Sequence, residues 1–362
     1  MADDESFHIR TRRAPARRAV TLKDVAAESG VSITTVSRVL NDQQSGVPIG
    51  EETKTRVIRA AAQLGYKPNL MARALRGARS SLLGVIARDI SDPFHIQILR
   101  GINSEASAHE YRLFLGHVDY RPEMAVAYAS MFEQSHADGI IVIGDLEGGD
   151  AALDILASQL RFVVGVTDRT ERRQVPGVYA DSAVGTELAM EHLVALGHRN
   201  IMCVSDSRTY DGRLRIDSYE RFMHTRGLRE HIQVHITDQE PDEAYELGTR
   251  ILRQVQPASG PTAAYVTSDT TVIGLLRAAY ELDIDVPGRF SLVGYDDIDI
   301  ARHIVPPLTT VSQDGVEMGV AAARLLFTMM DKDLDLNEVA DVVLTPRLVA
   351  RRSTAQVPES LR

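Results

Sequence analysis

The sequence of 362 residues contains one cysteine, Cys203, and no long apolar run. A single cysteine excludes a disulfide or a cysteine-based metal site within one chain, which fits a reducing compartment. No apolar run approaches the ~18 residues of a membrane-spanning helix. Residues 1–18 are polar and charged where a secretory signal would be apolar, so we expect a cytoplasmic protein.

The sequence also lacks the short motifs of common catalytic sites. It contains no G-x-S-x-G, no G-x-x-x-x-G-K-[ST] and no H-E-x-x-H, and the glycine-rich residues 144–150 lack dinucleotide-binding spacing. His192 and His198 flank a predicted helix end, which favours a structural role over metal binding. Asp296 and Asp297 are neighbours on a predicted strand and point to opposite faces, which disfavours paired acid–base catalysis. We predict a non-enzymatic protein without metal or cofactor.

Charge is distributed unevenly along the chain. Residues 1–80 contain 14 Lys and Arg against 8 Asp and Glu, whereas the remainder contains 26 against 42. A basic N-terminal part on an acidic body is typical of a nucleic-acid-binding module joined to another domain. The length allows two to three domains.

Two short helices are predicted at the start of the basic part. Thr21 and Asp24 form a capping-box pair for the first helix, which Gly30 ends. Ser32 can cap the second helix, in the segment GVSITTVSRVLN at residues 30–41. The second helix turns a stripe at i, i+3 and i+4 inward, formed by Val36, Val39 and Leu40. Two helices joined by a tight turn with glycine predict a helix-turn-helix.

The opposite face of the second helix carries Ile33, Thr34, Ser37, Arg38 and Asn41. Ser and Thr are poor helix formers, yet they occupy four of the six positions 32–37. Short hydroxyls bond bases or phosphates, arginine bonds guanine through two donors, and Ile or Thr methyls contact thymine methyls. We interpret this face as a DNA-reading surface; the alternative is the exposed polar face of a small helical bundle.

A third helix is predicted from Glu51 to Leu64, ended by Gly65. A fourth, capped by Asn69 and ending near Gly77, has too few turns to be stable alone. We predict that this short helix folds only against a partner; a plain basic linker is the alternative.

Residues 81–350 alternate short apolar runs, such as LLGVIA, DGIIVIGD and FSLVGYDD, with helical stretches. This alternation predicts an α/β body of two doubly wound domains, with parallel sheets covered on both faces. Ligands of such sheets bind beyond the carboxyl ends of the strands, where capping of the next helix is the alternative role for an aspartate. Six aspartates follow predicted strands: Asp89, Asp145, Asp168, Asp206, Asp269 and Asp296.

Seven segments occur in order along residues 20–350: VTLKDVAAESGVSITTVSRVLN, ETKTRVIRAAAQLGYKPNLMARALRG, SLLGVIARDISDPF, DGIIVIG, HLVALGHRNI, SLVGYDDIDIAR and PPLTTVSQD. Together they resemble the lactose/galactose-repressor (LacI/GalR) family of bacterial transcription regulators. The resemblance implies a three-helix helix-turn-helix head and a hinge helix. Two doubly wound parallel-sheet domains, like those of periplasmic binding proteins, would follow.

The resemblance implies DNA-binding roles for residues in the head and hinge. Ile33 and Thr34 match positions that select the operator, and Ser37 and Arg38 match contacts to phosphate and base edge. Leu75 matches a hinge leucine that wedges into the central base step. The implied DNA-binding residues are Thr21, Ser32, Ile33, Thr34, Thr35, Ser37, Arg38, Asn41, Asn69, Ala72, Leu75 and Arg76.

The resemblance also implies an effector cleft between the two body domains. Its implied residues are Asp92, Phe94, Asp168, Arg215, Ser268, Asp296 and Gln313. Phe94 can stack on a sugar face, and Arg215 matches an arginine that bonds the effector. Asp92 and Ser268 stand where asparagine is common, so the sequence leaves the effector open. We expect a sugar or sugar derivative; a nucleobase-type effector and a cationic molecule are the alternatives.

Domain boundaries follow from the resemblance. Two segments exceed the usual family length: the connection at residues 41–52 and the arginine-rich arm, which is expected to be disordered without DNA or else to add phosphate contacts. The expected divisions are the arm (1–19), the helix-turn-helix domain (20–67), the hinge helix and linker (68–80), the effector-binding and dimerisation region (81–350) and a tail (351–362). The first subdomain would take 81–180 plus 312–338, and the second 181–311 plus 339–350.

We therefore expect a cytoplasmic, nucleoid-associated repressor that binds a near-palindromic operator as a homodimer and responds to a small-molecule effector. The tail carries no leucine heptads, which disfavours a coiled-coil tetramer. The alternative is a soluble sugar-binding or sugar-modifying protein whose basic head is incidental.

Overall fold

The computed structural model describes residues 20–40, 48–66, 79–145, 150–167, 175–238, 241–253 and 260–357. The chain divides into two compact units, Met1–Gly77 and Ala78–Arg362. Among the described residues no helix is long and apolar enough to cross a membrane. The predictions for the arm, for most of the long connection and for the hinge helix lie outside these ranges.

The described residues of the N-terminal unit form three helices: α1 (Leu22–Ser29), α2 (Ile33–Leu40) and α3 (Glu51–Leu64). Val25, Val36 and Val57, one from each helix, are fully buried and form the centre of its core. Gly30 and Gly65 end α1 and α3 with φ of 68° and 64°, a left-handed conformation that glycine adopts without strain. The first three predicted helices and the glycine ends of α1 and α3 are confirmed.

The second unit, called the body, alternates strands with helices. Three 3₁₀ turns lie at Arg229–His231, Asp299–Arg302 and Leu336–Glu338. Its elements are β1 (Leu82–Ala87), α4 (Pro93–Ala108), β2 (Arg112–His117), α5 (Pro122–Gln134), β3 (Gly139–Ile143), α6 (Asp150–Gln159), β4 (Val163–Val166), β5 (Gly177–Ala180), α7 (Ser182–Ala195), β6 (Ile201–Ser205), α8 (Tyr210–Thr225), β7 (Val234–Ile236), α9 (Pro241–Leu252), β8 (Ala263–Val266), α10 (Asp269–Glu281), β9 (Ser291–Asp296), β10 (Thr309–Ser312), α11 (Gly315–Lys332), β11 (Val342–Leu344) and β12 (Arg347–Val349).

The strands form two six-stranded sheets. The first has the order β11-β5-β4-β3-β1-β2 and is parallel throughout. The second has the order β12-β10-β9-β8-β6-β7, in which only β12 is antiparallel to its neighbour. Helices α4 and α11 pair on the first sheet, as do α5 and α6, while α9 pairs with α10 and α7 with α8 on the second. The predicted α/β fold with two doubly wound sheets is confirmed.

Helices α4 and α11 approach each other closely enough that a side chain at either contact would collide with the opposite backbone. A Cβ on Gly101 would meet the carbonyl oxygen of Val316, and a Cβ on Gly319 would meet that of Ile98. Both helices begin at the edge of the sheet where the strands end. Their close packing therefore holds the segments before Pro93 and Gly315 side by side.

Two of the predicted boundaries are wrong. Val342–Leu344 pairs with Gly177–Ala180 in the first sheet, although residues 339–350 were expected in the second subdomain. The chain adds β11 to the edge of the first sheet before it enters the second sheet as β12. Nothing in the sequence spacing indicates which strand β11 pairs with. The expected tail packs on the second subdomain, because the buried Ser353 hydroxyl donates to the Leu292 carbonyl at 2.6 Å and the Val357 backbone N–H donates to the Leu196 carbonyl at 3.0 Å.

Candidate functional sites

The helix-turn-helix presents the second helix much as the sequence predicts. The side chain of Ile33 is 48% exposed, and Thr34 beside it is also exposed. Ser37 and Arg38 are half-buried, and both have interaction partners. About half of the Ile33 side chain is therefore free to contact another molecule. This exposure is consistent with the predicted role of Ile33 in contacting DNA bases.

Three other residues predicted to contact DNA, Thr21, Ser32 and Thr35, take part in the capping bonds of α1 and α2. Asp24 accepts hydrogen bonds from the backbone N–H and the hydroxyl of Thr21, at 2.8 and 2.7 Å. Ser32 accepts from the backbone N–H of Thr35 at 3.1 Å, and their hydroxyl oxygens are 2.9 Å apart. These caps fix the start of each helix, and a DNA contact by the same residues stays a prediction. Five further residues predicted to bind DNA lie outside the described ranges: Asn41, Asn69, Ala72, Leu75 and Arg76.

A polar cleft lies between the carboxyl ends of the two sheets. The cleft takes residues from both subdomains. Six of the seven predicted effector residues line it, and the seventh, Asp168, lies outside the described ranges. The lining residues are Arg88, Asp92, Phe94, His95, Thr167, Thr209, Asp211, Arg215, Ser268, Asp296 and Gln313.

Arg215 is a buried cation fixed from three sides. Its Nη1 donates to the Thr267 carbonyl at 2.8 Å, and its guanidinium carbon lies 3.8 Å from the centre of the Tyr295 ring. The nearest carboxylate oxygens of Asp211 and Asp296 are each 3.9 Å from its terminal nitrogens. Burial lowers the pKa of Arg215, but Tyr295 and the two carboxylates outweigh this and raise it overall. The side chain therefore stays charged and aimed at the cleft.

Asp296 is the buried acceptor opposite Arg215. Its Oδ1 accepts a hydrogen bond from the Gln313 amide at 2.7 Å. Burial raises the pKa of Asp296 well above its usual range, and Arg215 offsets part of this rise. Asp296 has a φ of 109°, and the next residue, Asp297, turns away to accept a hydrogen bond from Arg351 at 2.6 Å. The predicted opposite orientation of the two aspartates is confirmed.

The segment before α4 supplies the facing wall. Asp92 caps α4 by accepting from the Phe94 backbone N–H at 2.8 Å, so it performs the capping role that was the alternative to ligand binding. His95 is buried, with Nδ1 2.8 Å from the Asp89 carbonyl and Nε2 3.7 Å from the second Asp92 oxygen. Burial lowers the pKa of His95, which keeps the ring neutral. Ser268 stands before α10 without making a capping bond.

The other aspartates that follow strands serve local structure or link the subdomains. Asp89 and Asp206 accept from the backbone N–H groups of Ser91 and Arg208, two residues further along the chain. Asp145 of the first subdomain accepts from the Tyr210 backbone N–H of the second at 3.0 Å. Strand-end aspartates therefore do not form one ligand-binding set.

Five residues that line the cleft were not predicted from the sequence: Arg88, His95, Thr167, Thr209 and Asp211. The spacing contains a signal for one of them, since Asp211 precedes Arg215 by one helical turn. Arg88 directly follows β1, but only its neighbour Asp89 was predicted as a polar residue at the end of that strand.

The two histidines at the end of α7 have structural contacts. His198 is buried, with Nδ1 2.8 Å from the Thr262 hydroxyl and Nε2 3.1 Å from the Ser291 hydroxyl. Burial lowers the pKa of His198 to about 4. His192 Nε2 lies 2.9 Å from the Thr354 hydroxyl. Both rings therefore make hydrogen bonds that hold segments of the second subdomain together. In the part of the chain that the structure describes, no three His, Cys, Asp or Glu side chains are grouped to hold a metal ion.

A helix-turn-helix unit followed by two parallel sheets with a polar cleft defines a regulator class, in which a DNA-binding head precedes a ligand-binding body. Residues 21–69 match the family described as bacterial regulatory proteins, lacI family, and residues 190–354 match the periplasmic binding protein-like domain. The chain is 30% identical over 338 residues to the HTH-type transcriptional regulator DegA of Bacillus subtilis (strain 168), covering 92% of this chain and 98% of that protein.

Two further relatives agree. The HTH-type transcriptional repressor PurR of Erwinia tasmaniensis is 31% identical over 346 residues, covering 93% of this chain and 98% of that protein. The crystal structure of the lac repressor dimer bound to operator and the anti-inducer ONPF has a TM-score of 0.82 at 26% identity, covering 93% of this chain and 100% of that one. The chain belongs to the LacI family of bacterial transcriptional regulators, so it is a regulator and not an enzyme.

Proposed function

We propose that two copies of this chain bind a near-palindromic operator and repress transcription, under the control of a hydroxylated small molecule in the cleft. The observation that carries the proposal is Arg215, held between the Asp211 and Asp296 carboxylates at 3.9 Å each. A sugar hydroxyl accepts from a guanidinium and donates to a carboxylate, so this alternation suits a ligand rich in hydroxyls. Because the operator is chromosomal DNA, repression takes place in the cytoplasm, at the nucleoid.

The composition of the cleft favours a sugar over a flat nucleobase. Phe94 contributes the only phenyl, phenol or indole ring among the described lining residues, so a base would lack a second such ring to stack on. Arg215, Asp296, Gln313 and Ser268 instead supply donors and acceptors directed at several positions of a ligand. The cleft is less suited to a cationic effector, because two of the three lining carboxylates already face Arg215 and are not available to pair with a ligand cation.

Dimeric operator binding is supported by the exposed α2 face and by relatives. The lac repressor relative is a dimer bound to operator, and the PurR relative is a repressor. In this proposal Ile33, Thr34, Ser37 and Arg38 read one half-site per chain. Hinge residues 69–76 order in the minor groove, with Leu75 as the wedge.

Hydrogen bonds join the two subdomains, and an effector bound between them can alter these bonds. The Gln97 amide donates to the Asp297 carbonyl at 3.0 Å, and Arg100 pairs with Asp299 at 2.7 Å. These bonds join the first subdomain to the second on the side of α4. An effector that prefers one spacing of the subdomains shifts the dimer toward it, and its differential affinity sets the size of the response.

The experiment has two stages. The full chain is used to select an operator from random-sequence DNA, and a sugar panel is screened by thermal shift, since a ligand of the folded state raises its melting temperature. Binding of the selected operator is then measured with and without each hit. Arg215→Ala should abolish the response to the hit and retain operator affinity. The matched control is Arg213→Ala, an exposed arginine of the same helix, which should respond normally.

A wild-type chain that selects no inverted repeat would overturn the regulator proposal and favour the alternative of a sugar-binding protein. A normal effector response in Arg215→Ala would show that the cleft is not the effector site.

A further inference from the structure

Arg88 is a buried cation with no carboxylate of the described residues in ion-pair range. Its side chain follows β1, lines the cleft, and is 7% exposed. Across the described part of the chain no carboxylate oxygen lies within 4.0 Å of its guanidinium, and the side chain makes no hydrogen bond. Its Nε is buried without a partner. The guanidinium lies over the Tyr120 ring, whose centre is 5.4 Å from its carbon atom. At longer range its charge offsets part of the rise that burial causes in the pKa of Asp211.

The other two arginines in this region differ from Arg88. Arg215 has two carboxylates at 3.9 Å. Arg208 lies over the same Tyr120 ring at 5.0 Å, outside the cleft lining, and pairs with Asp206 at 3.3 Å and Asp238 at 3.2 Å. Among these three arginines of the described residues, Arg88 alone has no carboxylate oxygen within 4.0 Å.

Burying an unpaired charge is costly unless a partner of opposite charge arrives. A hydroxyl could accept a hydrogen bond from Arg88 but would leave the positive charge in place. A carboxylate or phosphate neutralises the charge and accepts two hydrogen bonds from the guanidinium fork.

The carboxylates of the cleft do not serve Arg88 in this way. Asp92 is bonded to the Phe94 backbone N–H, and Asp211 and Asp296 face Arg215. Asp211 interacts with Arg88 only at longer range, and Arg215 has the larger effect on the pKa of Asp211. The cleft therefore has two carboxylates in ion-pair range of Arg215 and, among the described residues, none in ion-pair range of Arg88.

We propose that the effector is a hydroxylated molecule with one anionic group, a carboxylate or a phosphate, which binds Arg88 while Arg215 and Asp296 bind its hydroxyls. This inference rests on the proposed function, since it names the chemical class of the ligand of the same cleft. Arg88 selects the class by charge.

Matched ligand pairs test the inference by isothermal titration calorimetry on the full chain. The neutral members are D-glucose, D-galactose and D-glucitol. Their acidic partners are D-glucuronate, D-galacturonate and D-gluconate, with the 6-phosphates of the two hexoses, and D-glucosamine and D-galactosamine test a cationic ligand. At least one acid or phosphate should bind at least ~10-fold more tightly than its neutral partner. The carboxylate and phosphate arms identify the anion.

Variants connect that preference to the residue. Arg88→Gln should remove the preference and change affinity for the neutral partner by less than ~3-fold, whereas the control Arg208→Gln should retain it. Ligand-free melting temperatures check the folded state. Arg88→Gln should not lower the melting temperature, while Arg208→Gln should lower it because the buried Asp206 loses its ion pair and keeps only the backbone hydrogen bond.

Several results would overturn the inference. They are equal or tighter binding of the neutral or amino sugar in every pair, no binding by any acidic probe, a preference retained in Arg88→Gln, or an equal loss of melting temperature in both variants. A neutral sugar that changes operator affinity through Arg215 would refute the anionic class and leave the proposed function standing. Failure to select any operator would count against the proposed function itself.

Discussion

Asp211 and Arg215 lie one turn apart on α8, and the Asp211 Oδ2 is 3.9 Å from the Arg215 Nη2 at the floor of the cleft. The helix sets this spacing before any ligand arrives. Asp296 approaches Arg215 at the same distance from the end of β9, so the cation lies between two carboxylates from different elements. A ligand hydroxyl can insert between such groups, which is how the cleft can recognise a polyol.

Asp296→Asn should weaken effector binding by at least ~10-fold and leave operator affinity without effector unchanged. The substitution keeps an acceptor toward Gln313 but removes one of the two charges that compensate Arg215. Calorimetry with the ligand found for the wild type checks the affinity. Asp217→Asn, an exposed change on α8, is the control, and equal affinity in the two variants would remove Asp296 from the site.

Arg38→Ala should weaken binding to the selected operator by ~1–3 kcal/mol and affect random DNA much less, because a base-edge contact discriminates between sequences. Fluorescence anisotropy on both DNAs measures the two losses. Arg59→Ala on the exposed face of α3 controls for loss of one positive charge. An equal loss on both DNAs for Arg38→Ala would leave it with a phosphate contact only.

Leu75→Ala should reduce DNA bending together with operator affinity. A large apolar side chain inserted between base pairs unstacks them, and alanine is too small to do so. Gel mobility of operators with the site at the centre or the end measures the bend angle. An unchanged bend would exclude Leu75 as the wedge.

Asp269 should make unfolding depend on pH. It is buried, accepts hydrogen bonds from the Thr310 hydroxyl at 2.7 Å and the Ile298 backbone N–H at 3.0 Å, and burial raises its pKa to about 7. The folded state therefore holds a proton that the unfolded state has lost above about pH 4. Its contribution is full at pH 4 and declines by up to ~4 kcal/mol as pH rises through 7.

Urea unfolding of the wild type and Asp269→Asn at several pH values measures this effect. The free energy of unfolding of the wild type should fall relative to that of the variant between pH 4 and 7. A difference that does not vary with pH would contradict the assignment. Asp217→Asn should run parallel to the wild type.

Periodicity and caps along the chain predicted the helices of the head and the two parallel sheets. The extents of α3 and the glycine ends follow from local rules, since a helix end depends on a few neighbouring residues. Family resemblance located Asp92, Phe94, Arg215, Ser268, Asp296 and Gln313 in one cleft.

Features set by distant contacts escaped prediction. The partner of β11 depends on where the chain re-enters the first sheet, and Ser353 donates a hydrogen bond to the carbonyl of Leu292, which lies far from it in the sequence. The cleft role of Arg88 depends on which carboxylates fold near it, and no spacing in the sequence reveals a missing counter-ion.

The most direct test of the account is the affinity of the full chain for its selected inverted repeat and for a scrambled competitor, each measured with and without the ligand of the cleft. The account predicts at least ~10³-fold tighter binding to the inverted repeat and a shift of that ratio when ligand is added. Equal affinity for both DNAs under every condition would contradict it.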